Sequence, residues 1–143
     1  MIRDAQVRSI DTVRRVLALI CALFVAAVTA VSSGAALPKL HVVLKGQDHH
    51  PLVGKKWHYS VTVTNVAGKP VASKIHLQFL FSGLPVGQIG VHTVKNGFWQ
   101  ETFGTPGHAP FPPAARGQSL VIEAIVTAKG YAVAKATWPI VVK

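Results

Sequence analysis

All seven histidines of this 143-residue chain lie beyond residue 40: His41, His49, His50, His58, His76, His92 and His108. Imidazole is a ready ligand for copper or zinc, so His49 and His50 with His41 or His58 are the residues from which a metal site would be assembled. Spacing alone supplies no convergent geometry, and His41, His58 and His76 fall on the polar phase of alternating stretches. The expectation is surface histidines, with no metal and no other cofactor. Near their ordinary pKa of about 6.5 these rings add positive charge in mildly acidic surroundings.

Other chemistry has little to work with. After Pro38 the only acids are Asp48, Glu101 and Glu123, and the one cysteine, Cys21, lies earlier. A glycosidase-type pair would have to be Glu101 and Glu123, which no strand pattern brings into one cleft. The sequence has no Gly-x-Ser-x-Gly elbow, His-Glu-x-x-His helix, phosphate-cradling glycine loop or Cys-x-x-Cys pair, so no enzymatic activity and no catalytic residue is expected. One cysteine excludes an internal disulfide and a Cys-type zinc site.

Charge is more informative. The chain carries 15 Lys or Arg against 5 Asp or Glu, and from residue 38 onward there are ten Lys and Arg116 against three acids. Apart from Lys55-Lys56 these bases are dispersed. Nucleic-acid binding favours clustered Arg interleaved with aromatics, so nucleic acid is not an expected partner. Diffuse attraction to anionic envelope polymers or lipid headgroups is compatible with the pattern, as is a protein partner. Residues 104–117 hold four of the nine prolines around Phe111. This segment is either a stiff recognition arm or a crossover between two sheets with Phe111 capping the core. Trp57 and Trp138 read as core, whereas the strand of Trp99 alternates least clearly. The candidate binding surface is therefore Trp99, His108, Phe111, Arg116, Lys55 and Lys56.

The elements that would position these residues fall into three parts. Residues 1–15 are basic, with Arg3, Arg8, Arg14 and Arg15 against Asp4 and Asp11. Residues 16–37 form an uncharged run with 18 apolar residues among 22. As a helix it would just reach across the ~30 Å hydrocarbon layer, and its densest part is equally suited to a secretory signal. Cleaved signal peptide and membrane anchor both remain open. Either one puts residues 1–15 in the cytoplasm and the rest outside. Arg14-Arg15 fits a twin-arginine signal only loosely, and Cys21 lacks the small residues of a lipobox, so it reads as an apolar member of the span.

From residue 38 the pattern changes to strict alternation. Trp57, Tyr59, Val61 and Val63 alternate with His58, Ser60, Thr62 and Thr64, and Ile75, Leu77, Phe79 and Phe81 share a face. Further strands are predicted around Leu40–Lys45, over 89–95 and 98–103 flanking an Asn96-Gly97 hairpin signal, over 120–126, and over 134–142 with Pro139 on the solvent side of an edge. No window has a 3.6-residue period. The fold expected is all-β: one antiparallel sandwich of about seven strands, preceded by an N-terminal hydrophobic helix.

The run from Val63 through Gly68, Pro70 and Val71, the strand ending at Phe81, and Thr93-Val94-Lys95-Asn96-Gly97-Phe98 resemble the immunoglobulin-like modules of bacterial secreted and surface proteins. Unlike antibody-type domains, the chain has no Cys pair. The resemblance implies an immunoglobulin-like sandwich with a structural, adhesion or binding role at the cell envelope, and it brings no catalytic residue.

Overall fold

The computed structural model describes residues 34–143. The basic segment and the apolar run as far as residue 33, including the expected helix and Cys21, lie outside the described residues. Residues 34–37 are irregular and exposed.

The strands form where side chains alternate. In β2 (Trp57–Thr64) Trp57, Tyr59, Val61 and Val63 are buried at 0–1% exposure, while His58 is exposed. Burying each such large apolar side chain stabilises the fold by about 1.5–3 kcal/mol. The same logic builds β1 (His41–Gly46), β3 (Ser73–Phe81), β5 (Phe98–Phe103), β6 (Ser119–Thr127) and β7 (Ala134–Val141). A longer strand, β4, spans Leu84–Val94. The single helical turn among the described residues is the 3-10 turn Pro113–Ala115.

The seven strands make two antiparallel sheets, ordered β1-β2-β5 and β4-β3-β6-β7. Leu44, Tyr59, Val61, Ile75, Leu77, Ile122, Val126 and Ile140 contribute to one core drawn from both sheets. In a constant-type immunoglobulin sandwich the fourth strand extends the sheet of the first, second and fifth. Here it joins the third strand instead.

That arrangement corrects the hairpin expected at Asn96-Gly97. β4 pairs with β3 and β5 pairs with β2, so Lys95, Asn96 and Gly97 carry the chain from one sheet to the other. Gly97 adopts φ +66° and presses on β2: its carbonyl accepts from Val63 N at 2.7 Å, and a Cβ there would meet Val63 O and stand 2.9 Å from Val71 N. A tight two-residue hairpin lies instead at Ser82-Gly83, which joins β3 to β4 with φ of 50° and 80°, the positive values at both central positions that the favoured hairpin turn needs. β4 therefore starts at Leu84, five residues before the position expected from sequence. Two register shifts leave Val86 and Ile89 as unpaired bulge residues on this edge strand.

Residues 104–117 cross from β5 to β6, that is, between sheets. Phe111 is 6% exposed, with ring centroids 5.4–6.0 Å from those of Phe103, Phe79 and Trp57. The arm is thus the sandwich crossover, and Phe111 caps the core instead of facing a partner. Pro139 lies exposed on edge strand β7.

Candidate functional site

The three carboxylates of residues 34–143 have separate fates. Asp48 is exposed, and its Oδ1 accepts from His50 N at 2.7 Å and Trp57 Nε1 at 3.3 Å. Glu123 is 7% exposed on the outward side of β6, where it accepts from Gln78 Nε2 at 2.6 Å and Lys135 Nζ at 3.2 Å.

Glu101 is placed differently. On β5 the inward positions are Trp99, Glu101 and Phe103, so alternation turns this carboxylate into the sandwich opposite Tyr59. Tyr59 donates its hydroxyl to Glu101 Oε2. His108 Nδ1 stands 2.9 Å from Oε1, at ion-pair distance but without hydrogen-bond alignment, and His92 Nε2 stands 3.8 Å from Oε2. The His92 ring stacks on Trp99 at 3.9 Å. Burial pushes the Tyr59 phenol well above its ordinary pKa; the hydrogen bond to Glu101 and the Glu101 charge add to the rise, and the Trp99 N–H opposes it. Burial also lowers His92, assisted by His108 and opposed by Glu101. The cluster lies between edge strands β4 and β5, with Glu101 buried and His108 partly open to solvent.

The cations among the described residues all face solvent. All ten lysines from Lys39 to Lys143, and Arg116, are exposed. The outward face of the β1-β2-β5 sheet is wholly without carboxylate. It presents His41, Val43 and Lys45 from β1, His58, Ser60, Thr62 and Thr64 from β2, and Phe98, Gln100 and Thr102 from β5. Lys45, Gln47, His58 and Ser60 line a shallow hollow of about 280 Å³ on this face.

The candidate residues are dispersed over several surfaces. Lys55 and Lys56 lie in the β1–β2 loop, with Lys56 abutting Gly104 and so near His108. Trp99 points inward beside His92, and Arg116 ends the 3-10 turn. His41 and His58 are on the outward face just described, whereas the Nδ1 of His49 donates to Pro139 O at 2.6 Å and its ring stacks on Trp138 at 4.2 Å. Among the described residues no three His, Cys, Asp or Glu side chains stand where they could hold a metal ion. A largely apolar groove of about 570 Å³ runs past His49 between Phe81, Leu120, Val121 and Ile140. Tyr59 and His92 were absent from the sequence-level candidates. The available signal was Glu101 itself, an acid in the inward phase between two aromatics.

No protein-family model matches the chain, and no curated protein matches it significantly. Among solved structures it is similar to the CARDB domain of a Pyrococcus furiosus protein in complex with di-metal ions, at 20% identity over 75% of this chain and 90% of that one, with a TM-score of 0.44. It is also similar to the PKD domain of an M14-like peptidase from a Thermoplasmatales archaeon, at 12% identity over 74% and 95%, TM-score 0.46. A third is the soluble domain of PmoD from a Methylocystis species, at 11% identity over 78% and 100%, TM-score 0.42.

Proposed function

We propose that this chain is an exported or membrane-anchored, non-catalytic immunoglobulin-like module of a bacterial cell envelope, and that its binding role is electrostatic, toward anionic envelope polymers or lipid headgroups. The observation that carries this reading is the segregation of charge. Among the described residues eleven basic side chains face solvent, while two of the three carboxylates are buried and the third is engaged by His50 and Trp57. A surface of one sign attracts polyanions over distances of about a Debye length and loses that attraction as salt rises. Separation of Glu101 and Glu123 onto different sheets supports the non-catalytic part. Export rests on the basic segment followed by the apolar run.

The test is retention of the purified full chain on anionic cell-wall polymer across a salt gradient. Retention at about 50 mM salt with release by roughly 0.5 M, where the screening length is only a few Å, is the expected result. Retention that persists undiminished in high salt would count against it. Mass spectrometry of the mature protein separates a cleaved signal from an anchor.

A further inference from the structure

The charge segregation applies to the surface of all the described residues, but one part of that surface also carries unengaged polar side chains. On the outer face of the four-stranded sheet the central polar groups already serve one another, since Gln78, Glu123 and Lys135 form a hydrogen-bonded chain. On the outer face of β1-β2-β5, none of the side chains of Lys45, His58, Ser60, Thr62, Gln100 and Thr102 hydrogen-bonds to another described residue. They form cross-strand rows: Lys45 beside Ser60 beside Gln100, and Val43 beside Thr62 beside Phe98. The only carboxylate of this sheet, Glu101, is paired with Tyr59 on the opposite, inward side.

We propose that this face is the binding site for an acidic polysaccharide strand, a deepening that rests on the electrostatic reading above. Four features of the face match that chemistry. Hydroxyls and a carboxamide both donate and accept, as sugar hydroxyls require. Lys45 supplies a fixed cation. Phe98, 46% exposed, offers a ring to the apolar side of a sugar, and Val43, 43% exposed, continues that strip. The rows from His58 to Thr64 extend roughly 20 Å along the sheet, enough for a chain rather than a single ion. With no carboxylate on the face, nothing there repels an anionic occupant.

The test compares two full-chain variants with the same change in net charge. Lys45→Gln combined with Gln100→Glu alters the face; Lys129→Glu alters the turn between β6 and β7. Polygalacturonate is the anionic glycan, neutral dextran its uncharged counterpart, and phosphatidylglycerol vesicles the lipid alternative. Near-ultraviolet circular dichroism checks that each variant is folded, and Phe98→Ser is a third, uncharged probe of the face. The expected result is a loss of polygalacturonate affinity of about tenfold or more for the double variant and a clear loss for Phe98→Ser. Lys129→Glu should lose less than threefold, and vesicle association of the double variant should stay within twofold of the wild type. Equal weakening by the double variant and Lys129→Glu would overturn the site and leave the electrostatic reading standing. Loss confined to vesicles would overturn the glycan assignment. Failure of the wild-type chain to bind polygalacturonate or vesicles at low salt would remove the electrostatic reading itself.

Discussion

A carboxylate on the inward phase of a strand must find partners or lose its charge, and Glu101 finds Tyr59, with His108 and His92 close by. The cluster makes stability depend on pH in a stated direction. His92 is held below its ordinary value of 6.5, so the unfolded chain takes up a proton there before the folded one does. The contribution of this ring is present above about pH 6.5 and is lost as pH falls below it. Tyr59 is held above its ordinary 10.0, so its contribution is present below about pH 10 and lost at higher pH. Urea unfolding from pH 4.5 to 8 should show stability falling on the acid side, and His92→Gln should flatten part of that fall. An acid limb identical in both proteins would show that the ring is not its source. Phe111 gives a second residue-scale prediction: packed against Trp57, Phe79 and Phe103, its replacement by Ala should cost about 3–5 kcal/mol, whereas exposed Phe98→Ala should cost well under half as much. Equal costs in denaturant titrations would contradict the placement of Phe111.

At the scale of elements, the decisive feature is where β4 goes. The dipeptide Asn96-Gly97 carries a stronger local hairpin signal than Ser82-Gly83, yet the hairpin forms at the latter. The reason is tertiary: β4 satisfies its backbone hydrogen bonds along β3, and the chain then passes Gly97 against β2, where Val63 N and O leave no space for a side chain. Gly97→Ala should therefore destabilise by more than the ~1 kcal/mol of an ordinary glycine substitution, through both its positive φ and the lost contact with β2. Gly83→Ala meets nothing within 4 Å and is strained by φ alone, so it should cost less. Thermal melts of the two variants check the order, and a greater cost at Gly83 would contradict the crossing.

At the scale of the whole molecule, the eleven exposed cations of the described residues repel one another as well as attracting polyanions. Raising salt from about 10 mM to 0.3 M shortens the screening length several-fold and should raise the melting temperature of the full chain. A melting temperature that is flat or falls with salt would mean the charges are too far apart to matter. Much of this was legible from sequence. Alternation placed β2, β3, β6 and β7 nearly to the residue, and the totals fixed the charge. Alternation was least clear around Trp99 and did not place Glu101, nor could it name Tyr59, His92 and His108 as its neighbours, because they come from another strand of the same sheet, a strand of the other sheet and a loop.

The division between the two levels has a physical basis. The sequence by itself determined what depends on near neighbours and on totals: which residues alternate, and that basic side chains outnumber acidic ones after Pro38 by eleven to three. Only the tertiary structure decided what depends on distant pairing. It joined β4 to β3 instead of β5, buried Phe111, and turned Glu101 inward against Tyr59 so that the outer face of β1-β2-β5 carries no negative charge. Strand partners are chosen by burial across the whole chain, and no window of a few residues contains that information.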